Sequence, residues 1–258
     1  MNAQTKVDQL KIFTCQTREE MGEYAAMVAA DEIKEMLQQK KELNVVFAAA
    51  PSQNEFLAFL QKAKGIDWGR INAFHMDEYV GLKIGESGSF TNFLNNAIFN
   101  ILPFKNIYRI NGAASDADEE CKRYTDLLKT HPIDIVFMGV GENGHIAFND
   151  PSVADFNDKA FVKTVKLDDI CRMQQVHDKC FDSIDHVPQY AYTLTIPALL
   201  SAKRILCIVP GKTKAPAIAR MLMGAIEEEC PASILRNHSN AKLFLDVDSA
   251  KIWEKGGF

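Results

Sequence analysis

The chain has 258 residues, 47% of them hydrophobic, a formal net charge of −5 and a pI of about 5.7. Charges of both signs are spread along it without a basic block, which argues against a nucleic-acid partner but leaves room for a local anion site. No apolar run approaches the ~18 residues of a membrane span, MNAQTKVDQLKIFT has no signal core, and the six cysteines form no C-x-x-C pair. Free thiols in a reducing cytoplasm are the simplest reading, with no metal site implied by spacing.

Leu10 to Thr14 reads as a first strand. Thr17 is placed to cap the following helix, with Glu20 as its capping-box partner, and that helix is expected to run to about Lys41. Asn44 to Ala50 forms a second strand, meeting Pro51 and Ser52 before a helix through Phe56, Leu57 and Leu60. A strand, a tight turn and a helix N-terminus make an anion site, because the first helical N–H groups are free. Ser52 serves equally well as a simple helix cap.

Ile71 to Tyr79 reads as a third strand that carries Asp77 and Glu78 at its carboxyl end. Neighbouring residues on a strand point to opposite sides, so one carboxylate is expected to face a site and the other solvent. Gly81, Gly85 and Gly88 predict a loop, and Ser89 is placed to cap a helix covering Phe93, Leu94 and Ile98. Asn106 to Ile110 then reads as a short strand and Asp116 to Thr130 as a charged amphipathic helix.

The stretch from Ile133 to Pro151, IDIVFMGVGENGHIAFNDP, organises the rest. Its apolar, β-branched start predicts a buried parallel strand, which runs into Gly139, Gly141 and Gly144. Glycines there let the backbone approach a ligand, and His145, Asn149 and Asp150 stand just beyond. Gly139 to Gly144 matches the G-x-G-x-x-G dinucleotide fingerprint, but Asn149, Asp150 and Pro151 arrive too soon for the helix it should open. A carboxylate beside His145 fixes its tautomer and suits it to proton transfer near neutral pH. A metal site from His145, Asp150 and Asp77 has no supporting ligand spacing.

Beyond Pro151, Lys159 to Leu167 alternates like an exposed strand and Asp168 to Pro188 is irregular. The insert at about 152–188 is expected to fold over the site as a flap. Ala191 to Leu200 reads as a strand leading to a turn at Pro197, and Arg204 to Val209 as another strand. Lys214 follows, either a solvated surface lysine or, from its place after a strand end, a charge expected to point into the same crevice, and Pro216 suits the first turn of a helix. Leu243 to Val247 is the last strand. Strands alternate with crossover helices throughout, which predicts a single α/β domain over residues 1–258. Its architecture is expected to be a Rossmann-like three-layer αβα sandwich with a mostly parallel sheet.

HMDEYVGL (His75 to Leu82) and GVGENGHIAFNDP (Gly139 to Pro151) together resemble the glucosamine-6-phosphate deaminase/isomerase family. VPQYAYTLTIPALL (Val187 to Leu200) and GKTKA (Gly211 to Ala215) fall in the family's order, so the resemblance covers nearly the whole chain. It implies conversion of an aldose 2-amino-6-phosphate to a ketose 6-phosphate with release of ammonia, without a redox cofactor or metal. In that reading His145 shuttles the ring-opening proton, Asp150 orients it, and Asp77 moves the proton between C2 and C1. Lys214 matches the lysine that contacts the substrate phosphate, and Ala49, Ala50 and Ser52 occupy the phosphate turn.

Asn143 stands where many members carry an aspartate in the ring-opening group, and Asp150 where the family more often has a glutamate. The other departures cluster at the phosphate: Pro51 removes an N–H from the turn, and Asp178 falls at the flap arginine on an ungapped count. Lys179 or Arg172 replaces that arginine only if the flap is rearranged. DFNDKAFVK (Asp155 to Lys163) lacks the basic allosteric segment of some members, so activation of that kind is not expected. The resemblance implies a sugar-phosphate substrate, glucosamine- or galactosamine-6-phosphate, and leaves a homo-oligomer open. A lactonase-like hydrolase and a non-catalytic sugar-phosphate sensor are the alternatives.

Overall fold

Strands dense in Val, Ile, Leu and Phe, buried on both faces, build the centre of the larger of two sheets, with more exposed strands at its edges. The protein is described by a computed structural model covering residues 3–256. The chain opens with β1 (Ala3–Val7), β2 (Leu10–Cys15), α1 (Arg18–Gln39), β3 (Leu43–Phe47) and α2 (Asn54–Leu60). It continues through β4 (Ile71–His75), β5 (Asp77–Tyr79), α3 (Phe90–Leu94), β6 (Asn106–Tyr108), α4 (Ala117–Thr130) and β7 (Ile135–Met138). After the glycine turn come β8 (Val162–Lys166), α5 (Asp169–His177), β9 (Tyr190–Leu194) and α6 (Ile196–Leu200). The last elements are β10 (Arg204–Val209), α7 (Ala215–Met223), β11 (Ala241–Asp246) and α8 (Val247–Lys255).

The eight-stranded sheet has the order β1-β2-β11-β10-β7-β3-β4-β6, parallel throughout except for the antiparallel edge pair β1-β2. Alternation along each strand divides the core into two. Val46, Phe74, Val136 and Leu243 pack on one side with Tyr124 of α4, Ile218 of α7 and Trp253 of α8. Val45, Phe47, Ile135 and Phe244 pack on the other with Ala29 of α1, Leu57 of α2 and Leu94 of α3. This is the expected three-layer α/β sandwich. From β3 the chain moves outward through β4 to β6, and from β7 it moves the opposite way through β10 and β11. The carboxyl ends of β3 and β7 therefore flank a topological switch point, where such sheets place ligands.

Several elements differ from expectation. Ile71 to Tyr79 is not one strand: the chain leaves the large sheet after His75, and β5 joins an antiparallel sheet of order β5-β9-β8. Met76 marks the change, its carbonyl accepting from Leu194 N–H at 2.8 Å. Asp168 to Pro188 is not wholly irregular, because Asp168 caps the nine-residue α5 by accepting from Cys171 N–H at 2.6 Å. Thr195 caps α6, which includes Pro197 in its first turn, so a short helix stands where a turn was expected. Asp246 ends β11 and caps α8. The caps at Thr17 and Ser89 form as the sequence implies, although Glu20 reaches back to Gln16 N–H and not to Thr17, and Asp116, read as the first residue of α4, caps that helix.

Candidate active site

At the switch point, Ala48, Ala49 and Ala50 after β3 and Gly139, Val140 and Gly141 after β7 form two walls of a small cavity of about 60 Å³. Met76 and Asp77 close a third side and Lys214, beyond β10, a fourth. Among the described residues, the Ala49 and Ala50 N–H groups make no backbone hydrogen bond. Ser52 lines the same turn. It does not cap α2: it lies inside a single 3₁₀ turn from Pro51 to Gln53 and accepts from Gln53 Nε2 at 3.2 Å. Gln53 also donates to the Ile208 carbonyl at 3.1 Å, tying this turn to β10.

Asp77 is 7% exposed. Burial, and then the neighbouring Glu78 charge, push its carboxyl well above the usual carboxylate range. A carboxyl so raised is a stronger base once ionised, which suits abstraction of a carbon-bound proton. Its backbone is held by His75, which is fully buried. His75 Nε2 accepts from Ile110 N–H at 2.8 Å, so Nδ1 carries the proton and donates to the Asp77 carbonyl at 2.9 Å. Burial lowers the His75 pKa and keeps the ring neutral in that tautomer.

Glu78 does not face solvent as expected of the second carboxylate. It is 1% exposed and accepts from Ser89 Oγ (2.9 Å), Phe90 N–H (3.0 Å) and Thr91 N–H (2.8 Å) at the start of α3. The helix N-terminus supplies the donors and the positive end of the dipole, so this charge is structural.

His145 stands over Gly141, where a Cβ would come within 2.1 Å of its ring, so only glycine leaves room for the imidazole. Its Nδ1 lies 2.9 Å from Asp150 Oδ1, but the contact is out of line for a ring N–H, and Nδ1 has no hydrogen-bond partner. Asp150 is fully buried. Burial works to raise its pKa, but the contacts with His145 and Asn143 prevail and hold the carboxyl below its usual range. Asn143 donates from Nδ2 to Asp150 Oδ1 (3.0 Å) and to Asp168 Oδ2 (3.3 Å), while its Oδ1 accepts from His145 N–H at 3.0 Å. Its amide thus bridges two carboxylates and fixes the turn that carries His145. Gly139 to Gly144 is followed by turns and an isolated bridge between Ile146 and Asn149, not by the helix of a dinucleotide site.

Lys214 is 5% exposed and its Nζ has no hydrogen-bond partner. Burial lowers its pKa, against the charges of Asp178 and Glu142. An ammonium held without a partner in a cavity wall is a ready receptor for an anion. Among the described residues no arginine lines the cavity. Arg172 is committed elsewhere, donating to the Ile184 and Val187 carbonyls at 2.7 and 3.1 Å, and Lys179 is exposed.

The expected residues Asp77, His145, Ala49, Ala50, Ser52 and Lys214 thus line one cavity, with Asn143 and Asp150 directly behind His145. Gln53, Gln174 and Gln175 line it as well and were not foreseen. Gln174 accepts from Glu142 N–H at 2.9 Å, which joins α5 to the glycine turn. The adjacent glutamines in a segment without an apolar stripe were the only sequence signal for Gln174 and Gln175, and for Gln53 it was the place directly after the Pro51-Ser52 turn.

The family model for glucosamine-6-phosphate isomerases/6-phosphogluconolactonase matches residues 16–245. Glucosamine-6-phosphate deaminase of Bacillus cereus (strain B4264) is 34% identical over 243 residues, covering 94% of this chain and 89% of the relative. The structure of a monomeric glucosamine-6-phosphate deaminase superposes with a TM-score of 0.85 at 33% identity, covering 93% of this chain and 99% of the other. A 6-phosphogluconolactonase from Thermotoga maritima shares the fold at a TM-score of 0.74 and 19% identity, covering 91% of this chain and 98% of the other.

Proposed function

The chain belongs to the glucosamine-6-phosphate isomerase/6-phosphogluconolactonase family, and on that premise we propose that it is a deaminating aldose–ketose isomerase acting on an amino-sugar 6-phosphate. The observation that carries this reading is one cavity holding a raised carboxyl (Asp77), an imidazole backed by a carboxylate (His145 with Asp150) and an unpartnered ammonium (Lys214).

The pyranose opens first. His145 takes the anomeric hydroxyl proton and returns a proton to the ring oxygen, releasing the aldehyde. Asp150 steadies the transient imidazolium by its charge, and Asn143 holds both in register. Asp77 then removes the proton from C2 and delivers it to C1 through an enol-type intermediate. Water adds at C2 and ammonia leaves, so the products are the ketose 6-phosphate and ammonia. Lys214 receives the phosphate beside Ser52 and the free N–H groups of Ala49 and Ala50. Each acid–base group of this kind contributes a factor of about 10²–10⁴.

Incubation with a panel of glucosamine-, galactosamine- and mannosamine-6-phosphate, with ammonia and ketose measured together, tests the reading. Equal amounts of both products from a hexosamine phosphate are expected. Hydrolysis of a phosphosugar lactone with no ammonia release would replace the reading by a lactonase, and tight binding without turnover would replace it by a sensor.

A further inference from the structure

Proton transfer leaves one part of this region unexplained. Cys171 of α5 is fully buried beside His145 and Asp150, and donor atoms of the three residues lie within 4.8 Å of one another. His145 is 7% exposed and Asp150 fully buried, yet His145 Nδ1 has no in-line hydrogen-bond partner, and Asp150 Oδ2 has none beyond a weak contact between its carboxylate and the Cys171 thiol. Buried polar atoms so poorly paired are uncommon, and two of them converging on a thiol call for a ligand. One sulfur, one imidazole nitrogen and one carboxylate oxygen make the donor set of a borderline cation. Zinc takes such ligands at ~2.0–2.3 Å and tolerates an open fourth position, whereas magnesium and calcium demand oxygen.

We propose that His145, Asp150 and Cys171 form a site for a thiophilic divalent cation of the zinc type, whose occupancy switches off proton transfer by His145. The cation takes the Nδ1 lone pair, because Nδ1 is the ring nitrogen facing Asp150. Cys171 gives up its thiol proton to solvent on coordination, and the carboxylate of Asp150 completes the set. A neutral imidazole has one donor and one acceptor nitrogen. With Nδ1 bound to metal, Nε2 keeps the ring proton and cannot accept another from the sugar. The spacing of these residues in the chain could not reveal the site, since α5 brings Cys171 in from another segment.

Cation binding stands apart from the reaction, whereas the inhibitory consequence rests on the proposed isomerase activity. The chelator-treated, full-length protein is titrated with Co²⁺ and followed by absorption. One equivalent is expected to give a thiolate-to-cobalt charge-transfer band and the intense visible bands of a four-coordinate centre, and Zn²⁺ should abolish both. Cys171→Ser should lose the charge-transfer band and bind at least about 10-fold more weakly, the lower end of what losing even an outer-shell partner does. Cys121→Ser, which alters a half-buried thiol elsewhere, should behave as wild type. Zn²⁺ should stop ammonia release by the wild type, a chelator should restore it, and Cys171→Ser should resist. Should Cys171→Ser not fold, Cys171→Ala takes its place, and the wild-type spectrum is decisive alone. The absence of a charge-transfer band from the folded wild type, or an unchanged band in the folded variant, overturns the site. A cobalt–thiolate centre in a protein that turns over no amino-sugar phosphate upholds the site and overturns the isomerase reading.

Discussion

Asp77 is useful for the reason that it is uncomfortable. A carboxyl whose folded-state pKa lies above its unfolded value of ~3.9 adds stability below that value and withdraws it as the pH rises through the folded pKa. Asp77→Asn should therefore raise Tm over wild type at alkaline pH, with the gap closing towards about pH 4. An unchanged Tm difference across that range would contradict the raised carboxyl. Asn143 carries a second lesson. The family resemblance suggests that an aspartate here would strengthen His145, but the amide donates to both Asp150 and Asp168. Asn143→Asp would lose those donors and set three carboxylates together. It should cost about 1–3 kcal/mol in denaturant titration, not improve turnover. The meeting of Asp77 and His145 in one cavity was legible from short motifs, because both follow strands whose carboxyl ends face the switch point. The two bonds of the Asn143 amide were not, since Asp168 comes from a later segment.

At the scale of elements, the site depends on a strand that changes sheets. Residues 71–79 show a continuous apolar-rich pattern, and nothing in it marks Met76 as the point where β4 gives way to β5. That change explains Glu78. Once β5 turns away, its second carboxylate meets the start of α3 instead of solvent. Glu78→Ala should cost at least about 2 kcal/mol, because four donors (Tyr79, Phe90 and Thr91 N–H and Ser89 Oγ) lose their acceptor, and should impair turnover only through stability. The glycine turn acts by absence. Gly141→Ala should displace the His145 ring and reduce kcat by about 10²-fold or more at near-normal Tm. A variant with normal kcat would show that the ring position is not critical. Helix α5 escaped sequence reading because its buried face holds Cys171, Gln174 and Gln175, turned towards a polar site. Hydrophobic periodicity cannot report a helix that packs on polar groups.

Across the whole molecule, the parallel sheet was legible because its strands are short apolar runs separated by helices, and the parallel order follows from that alternation. The antiparallel edge strand β1 was not, being too polar to stand out, and although β8 and β9 read as strands, their pairing with β5 in a separate sheet was not, because it joins segments distant in sequence. The candidate site lies where the two sheets meet: Asp77 comes from the small one, and His145 from the turn after β7 of the large one. Among the described residues no helix is long and apolar enough to cross a membrane. The central claim is that Asp77 moves a proton between C2 and C1 of an amino-sugar phosphate opened by His145. Turnover in heavy water, with the ketose product examined for deuterium at C1, tests it most directly. Wild type should form deuterated ketose and ammonia, while Asp77→Asn binds the same substrate and forms neither. Near-normal ketose formation by Asp77→Asn would contradict the mechanism.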